Sequence, residues 1–152
     1  MITVAKTRIA DFRRIQHAVD SVPDDNPRRV GIQIYREKVF ETKPRIAFQG
    51  QGKRTTILTW ADTAYTLDNT GRPIGTYKSA SVAVESDFFV AVNISFQNDA
   101  YFPNSVNKYR QAVALRISGE MASFYSCGFF LVTRDEKKHC ILWYSSGAVF
   151  GQ

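Results

Sequence analysis

The chain has 152 residues, of which 44% are hydrophobic and 22% are charged, and its formal net charge is +6. These values are ordinary for a folded domain and exclude a disordered chain, so we expect one domain over residues 1–152. Because no apolar run reaches the roughly 18 residues that a membrane-spanning helix needs, we expect no membrane partner.

The positive net charge suits an anionic partner, such as nucleic acid, a membrane surface or an acidic polysaccharide. The basic residues are scattered, however, and their densest groups are Arg28-Arg29, Lys53-Arg54 and the segment 134–138. Short groups of this kind are typical of solvated surface, so the sequence predicts no nucleic-acid partner.

Two cysteines, Cys127 and Cys140, form no CxxC pair, so we expect neither a zinc site nor any other metal or cofactor. One disulfide is possible if the compartment is oxidising. The N-terminal residues lack the apolar segment of a signal peptide, which leaves a cytosolic protein, a mature form or an incomplete gene product as alternatives.

A short helix is predicted over residues 11–22. Asp11 can serve as its N-cap, and the apolar residues Phe12, Ile15, Val19 and Val22 recur at helical spacing before Pro23 ends it. Its single apolar stripe indicates that the helix lies against a larger body.

Most of the remaining chain predicts short strands separated by Gly, Asn, Asp and Pro, at residues 30–34, 45–49, 56–60, 81–84, 89–96, 112–117 and 122–125. Since no second convincing helix lies between them, the pattern favours an all-β fold. An Ile-x-Phe pattern at Ile46 returns at Ile94, and Cys127-Gly128-Phe129 repeats its core. Repeats of a short apolar pattern are typical of stacked coils, although a β-sandwich would produce similar patterns.

Several motifs in order resemble plant pectinesterases. They are DFRRIQHAVDSVP (residues 11–23), IYREKV (34–39), TTILTW (55–60), SASVAV (79–84), FVAVNISFQN (89–98) and QAVALRISGEMASFYSC (111–127). The resemblance covers about residues 2–130 and leaves 131–152 as a divergent tail. It implies a right-handed parallel β-helix, here incomplete, with a short N-terminal capping helix and a long substrate groove.

The resemblance also implies an extracellular, cell-wall setting and a substrate, homogalacturonan, whose methyl esters the family hydrolyses. In that reaction one Asp attacks the ester, a second Asp donates a proton, and two Gln side chains stabilise the oxyanion. The residue that matches the first of these glutamines is Gln111. By the same resemblance, Tyr35, Glu37 and Ser81 are predicted to bind substrate, and the loop 65–77 is predicted to edge the groove.

The other catalytic positions depart from the family pattern. Thr133 and Arg134 stand where the second Gln and the proton-donating Asp are expected, and neither side chain can replace them. Asp135 is a candidate acid only if the alignment slips by one residue. Residues 146–151 resemble the nucleophile motif without its Asp, and no LGRPW segment, which carries the family's Arg and Trp, is found.

The sequence therefore predicts a pectinesterase-family protein that is weakly active or inactive as this chain. A noncatalytic pectin-binding remnant is the alternative within the family, and a basic nucleic-acid-binding β domain is the alternative outside it. An uncovered end of the β-helix would expose apolar side chains and strand edges, so we expect a monomer or an aggregation-prone chain. Core packing is predicted for Trp60, and stacking on sugars is its alternative.

Overall fold

The computed structural model describes residues 1–4, 10–33, 43–85, 87–100, 111–132, 137–139, 141–144 and 149–151, with the strands after Phe130 described by their backbone. The helices and strands in chain order are β1 (Ile2–Thr3), α1 (Ile15–Asp20), β2 (Val30–Gln33), β3 (Ile46–Gln49), β4 (Ile57–Trp60), α2 (Gly75–Lys78), β5 (Val82–Val84), β6 (Val90–Val92), β7 (Ser95–Asn98), β8 (Val113–Ile117), β9 (Ser123–Tyr125), β10 (Gly128–Val132), β11 (Lys137–His139), β12 (Ile141–Tyr144) and β13 (Val149–Gly151).

The strands form three sheets, and successive strands along the chain enter different sheets. The six-stranded sheet has the order β1-β2-β3-β6-β9-β13, the four-stranded sheet β11-β10-β7-β4, and the three-stranded sheet β12-β8-β5. Pairing is parallel throughout except between β10 and β11. One coil therefore contributes β3, β4 and β5, the next β6, β7 and β8, and the next β9, β10 and β12. The predicted parallel β-helix is confirmed.

The core consists of apolar side chains that repeat at the same position in neighbouring coils. Leu58, Phe96 and Phe129 are in register across the four-stranded sheet, and the rings of Phe96 and Phe129 stack with centroids 5.5 Å apart at an interplanar angle of 8°. From the six-stranded sheet, Phe124 meets Phe96 edge-on at 5.9 Å. Such ring pairs contribute about 0.5–1.5 kcal/mol beyond the area they bury.

Only one of the two sequence echoes is a true coil repeat. The 33-residue echo relates Phe96 to Phe129, which are direct partners in the four-stranded sheet. The 48-residue echo relates Phe48 to Phe96, but Phe48 belongs to the six-stranded sheet, where it pairs with Ala91. The pattern is shared because inward positions of both sheets require the same apolar side chains.

The corners of the coils depend on residues in the left-handed region of backbone space. Asn93 (φ 57°) and Ser126 (φ 50°) occupy the corner that leads from the six-stranded to the four-stranded sheet in adjacent coils. The Asn93 N–H donates to the Tyr125 carbonyl at 3.0 Å, so that the corners stack like the strands. The single strand predicted over 89–96 is therefore wrong: a corner at Asn93 divides it into β6 and β7.

The equivalent corner one coil earlier carries Gly50, for a steric reason. A Cβ atom at Gly50 would lie 2.3 Å from the carbonyl oxygen of Asn93 and 2.8 Å from Cγ1 of Ile94. Contacts this short do not occur for real Cβ atoms, so the close stacking of these two corners requires glycine.

The N-terminal helix is shorter than predicted. It begins at Ile15, with Arg14 in the N-cap position, and buries Ile15, Ala18 and Val19 against the core. Asp11 is not the N-cap, because its carboxylate accepts hydrogen bonds from the backbone N–H (2.8 Å) and the hydroxyl (2.9 Å) of Thr3. The backbone hydrogen bond from Thr3 is the main reason that the pKa of Asp11 is lowered.

A second helix, α2, was not predicted. It has four residues, begins at Gly75 (φ 77°) and buries none of its side chains completely, so it has no apolar periodicity that a sequence pattern could show. Neither helix in the described part of the chain is long and apolar enough to cross a membrane.

Replacing Phe96 with Ala should lower the free energy of unfolding by about 3–5 kcal/mol, because the ring is 0% exposed and its loss leaves a cavity between two coils. Urea denaturation measures the change. Phe88→Ala is the matched control, since Phe88 is 36% exposed, and it should cost about 1 kcal/mol or less. Equal losses in the two variants would contradict the assignment of Phe96 to the core.

Candidate functional site: a groove on the four-stranded sheet

A groove lies on the outer face of the four-stranded sheet. It encloses about 460 Å³ and is lined by Lys53, Arg54, Ile57, Ser95, Gln97 and Phe130. Side chains alternate along strands, so Ile57, Gln97 and Phe130 point outward while their neighbours Leu58, Phe96 and Phe129 form the core. The site is thus a direct product of the sheet's alternation.

An aromatic ring forms one wall of the groove. A Cβ atom at Gly128 would lie 2.5 Å from Cε2 of Phe130 and 2.8 Å from Oγ of Ser95. Since Gly128 has no side chain, the Phe130 ring can lie close over the outer face of its own strand. An apolar ring in this position offers a flat surface on which a sugar ring can pack.

Two cations form another part of the wall. Lys53 and Arg54 are exposed in the corner between β3 and β4, and this corner is tied to the sheet because the Ser95 hydroxyl donates to the Lys53 carbonyl. The adjacent Gln97 amide donates to the Asp99 carboxylate. The groove therefore combines an apolar platform, an amide and two positive charges, which suits an extended, polar, negatively charged ligand.

Asn98 holds together the corner that leads from the four-stranded to the three-stranded sheet. Its side chain is 0% exposed, and its Nδ2 lies 3.0 Å from the Asp62 carbonyl, 3.2 Å from that of Ser79 and 3.1 Å from that of Val113. Its Oδ1 accepts from the Ala100 N–H at 2.9 Å. One buried amide thereby satisfies backbone groups from three segments of the chain.

Gln111 lies at this same corner, just before β8, and its side chain is exposed. Its Oε1 accepts a hydrogen bond from the Thr76 hydroxyl at 2.6 Å, and its backbone carbonyl accepts from the Ala64 N–H at 2.8 Å. The side-chain Oε1 and the backbone carbonyl oxygen of Gln111 thus both accept hydrogen bonds within the protein. The Nε2 group is the side-chain donor that Gln111 can offer to a ligand.

The candidate acid lies outside the described residues. Asp135 belongs to the chain between the end of β10 at Val132 and the start of β11 at Lys137, as do Thr133 and Arg134.

Of the three predicted substrate-binding residues, Ser81 is the one that the structure describes. Tyr35 and Glu37 lie outside the described residues. Ser81 is described and is 0% exposed, with its N–H donating to the Val113 carbonyl at 3.0 Å. A side chain buried to this extent cannot contact a polysaccharide at the surface, so direct substrate binding by Ser81 does not fit the structure.

Trp60 also differs from its prediction. Its side chain is 44% exposed, because it stands at the end of β4 where the chain turns into the loop 61–74. The prediction of core packing is wrong for this residue. In the same loop, Tyr65 is 52% exposed and Leu67 is 62% exposed, so this corner presents apolar side chains to solvent.

The sequence did not reveal two residues of the site. Thr76 is 35 positions from Gln111 and lies in a helix without a sequence signature, so no local pattern could connect them. Asn98 carried a weak signal, because it is a polar residue that directly follows the alternating run of β7. A polar side chain at the end of a buried strand is a common way to satisfy the backbone of the following turn.

Cys127 is a partly buried thiol at the corner before β10. Burial raises its pKa, and its Sγ lies 3.5 Å from the Ala91 carbonyl oxygen. Cys140, its candidate disulfide partner, lies outside the described residues. In the ranges that the structure describes, no three His, Cys, Asp or Glu side chains cluster in a way that could hold a metal ion.

Stacked parallel coils with a groove on one outer face define a parallel β-helix, in which the repeated coils form an extended surface. The pectinesterase family model matches residues 1–134, and the chain belongs to the pectinesterase family.

Individual relatives agree with this assignment. Pectinesterase QRT1 of Arabidopsis thaliana is 44% identical over 133 residues, which are 82% of this chain and 35% of that protein. Among solved structures, the pectin methylesterase PemA from Erwinia chrysanthemi matches with a TM-score of 0.81 at 25% identity. The pectin methylesterase from carrot matches with a TM-score of 0.74 at 30% identity. Each alignment covers 99% of this chain, but only 47% and 44% of the respective structures. The chain thus spans about a third of the curated relatives that it matches and about half of these solved structures.

Replacing Asn98 with Ala should lower the free energy of unfolding by about 3 kcal/mol, because it leaves several buried backbone groups without their partner. Asn69→Ala is the matched control, since Asn69 is exposed in the loop before α2, and it should change stability by about 0.5 kcal/mol or less. Thermal or urea denaturation of both variants measures this difference. A stability loss in Asn98→Ala no larger than in the control would contradict the bracing role of Asn98.

Proposed function

We propose that this chain acts in the modification of cell-wall pectin and binds homogalacturonan in the groove on the four-stranded sheet. The observation that carries the proposal is the groove itself, in which the Phe130 ring and the Lys53 and Arg54 cations line one cavity of a pectinesterase-family fold. Homogalacturonan supplies both matching features, since its sugar rings can pack on Phe130 and its free carboxylates can pair with the cations.

The reaction implied by the family is hydrolysis of the methyl ester, and Gln111 is the residue in this chain that we assign to it. The exposed Nε2 group of Gln111 would donate to the ester oxygen as negative charge develops there. Asp135 is the candidate proton donor, and Tyr35 and Glu37 are candidate substrate-binding residues. An extracellular, cell-wall location belongs to this proposal as well.

Turnover by this chain should be weak, because Thr133 and Arg134 replace an amide donor and an acid. Arginine stays protonated at any working pH, so it cannot exchange a proton with the leaving methoxide. The same substitutions favour a second candidate function, in which the chain binds pectin without catalysis.

Binding can be tested with homogalacturonan of low methyl-esterification. Replacing both Lys53 and Arg54 with Gln should weaken binding roughly two- to thirtyfold, since each exposed ion pair contributes about 0.2–1 kcal/mol. The affinity of the unaltered chain should fall as salt is added. Isothermal titration calorimetry measures both effects.

The control is a variant with the same loss of charge outside the groove, Arg13→Gln with Arg28→Gln. It should bind within about twofold of the unaltered chain, because those positions lie on the N-terminal segment and not in the groove. An equal loss in both double variants would show that net charge, and not the groove, determines binding.

Methanol release from highly methyl-esterified pectin separates the catalytic from the noncatalytic function. We expect release by the unaltered chain to be close to that of Gln111→Ala, because the acid and the second amide are replaced. Robust turnover that is lost in both Gln111→Ala and Asp135→Ala would overturn this expectation and identify Asp135 as the acid.

A further inference from the structure

We propose that Asn93 is an acceptor for an N-linked glycan, which is added before the coil around it closes. Residues 93–95 read Asn-Ile-Ser, the N-x-Ser/Thr sequence that such a glycan requires, and no other segment of the chain has this sequence. The predicted strand over 89–96 would have placed the acceptor inside a sheet. The structure places Asn93 instead at the corner between β6 and β7, where a bulky group can point away from the coils.

The Asn93 side chain is available to carry a sugar in the folded protein. It is half-buried, and in the part of the chain that the structure describes no hydrogen bond engages its amide. The amides of Asn26 and Asn98, by contrast, donate to backbone carbonyls. A glycan attached to Nδ2 of Asn93 therefore disrupts no hydrogen bond among the described residues.

The neighbouring coils leave space around this corner. The Gly50 N–H donates to the Val92 carbonyl at 2.9 Å, and the Asn93 N–H donates to the Tyr125 carbonyl at 3.0 Å. Gly50, Asn93 and Ser126 thus occupy equivalent positions in three adjacent coils. Gly50 has no side chain and Ser126 has a small one, so the positions on both sides of Asn93 can accommodate a bulky group.

The folded protein hides the other part of the acceptor sequence. The Ser95 side chain is 1% exposed, and its hydroxyl donates to the Lys53 carbonyl. A transferase that recognises this hydroxyl cannot reach it once β7 has paired with β4. The glycan is therefore added to the chain before this pairing forms, and the corner then keeps it at the surface.

The transfer uses an oligosaccharide carried on a lipid diphosphate. The Nδ2 atom forms a bond to C1 of the first sugar while the C1–O bond to the diphosphate breaks. Lipid diphosphate leaves, one Nδ2 proton passes to a base of the transferase, and nothing is oxidised or reduced. Because donor and transferase belong to the secretory pathway, the proposal shares the extracellular location with the proposed function, but neither its ligand nor its reaction.

The first test is secretion of the full chain from yeast behind a cleavable signal peptide. The amidase PNGase F should shift the secreted chain to lower mass, and mass spectrometry should find the Asn93 amide converted to a carboxylate only after this treatment. Asn93→Asp, which keeps the shape of the side chain, and Ser95→Ala should each abolish the shift. Asn69→Asp is the matched control, since Asn69 is exposed but outside any acceptor sequence, and it should keep the shift.

A secreted chain without a glycan would overturn the proposal, and so would a glycan that persists in Asn93→Asp. Neither result bears on pectin binding, which is measured on chain produced in bacteria without glycans. Conversely, a glycosylated chain whose bacterial form does not bind homogalacturonan would support Asn93 as the acceptor while rejecting the proposed function.

The second test addresses the order of events and does not depend on how well the variants fold. Cell-free translation of the same fusion in the presence of microsomes should yield glycosylated chain, and Asn93→Asp should yield none. Purified, folded chain added to detergent-opened microsomes should stay unmodified, because the Ser95 hydroxyl is buried. Equal glycosylation of the folded chain would contradict addition before the coil closes, and no glycosylation in either case would refute the acceptor site.

Discussion

The structure depends on one constraint, which is that each coil must place its inward side chains and its corners directly over those of the coil before it. Phe96 and Phe129 meet this constraint in the core, where their rings stack. Asn93 and Ser126 meet it at the corners, where both adopt positive φ values. A non-glycine residue with a positive φ destabilises the fold by about 1–3 kcal/mol. The corners therefore keep this conformation only because the stacked strands on both sides hold them in it.

The same constraint creates the groove. A strand that points Phe96 inward must point Gln97 outward, and one that points Phe129 inward must point Phe130 outward, because neighbouring side chains point to opposite faces. Repetition in the core therefore lines up exposed side chains along the outside of the sheet. A surface of this shape follows the coil axis, and this geometry suits the extended polysaccharide that we propose as the ligand.

Unlike the strands, the corners vary in length from coil to coil. One of them carries Gln111, the residue that we propose for catalysis. The loop between β4 and β5 includes α2 and returns to Gln111 through Ala64 and Thr76. Asn98 braces the same region from inside by bonding to the carbonyls of Asp62, Ser79 and Val113. A buried amide of this kind makes the corner specific, since an apolar side chain of similar size would remove a hydrogen-bond donor from the Asp62 and Ser79 carbonyls.

The sequence alone determined the family, the all-β class and most strand positions, because alternation and ordered motifs are local properties. A role for Gln111 stays a prediction. It misplaced the start of α1 and merged β6 with β7, since Asp11 found Thr3 as its partner and the turn at Asn93 has no Gly or Pro. Only the tertiary structure decided that Ser81 is buried, that Trp60 is exposed and that Thr76 meets Gln111. These outcomes depend on contacts between residues far apart in the chain, and such contacts exist only once the coils have stacked.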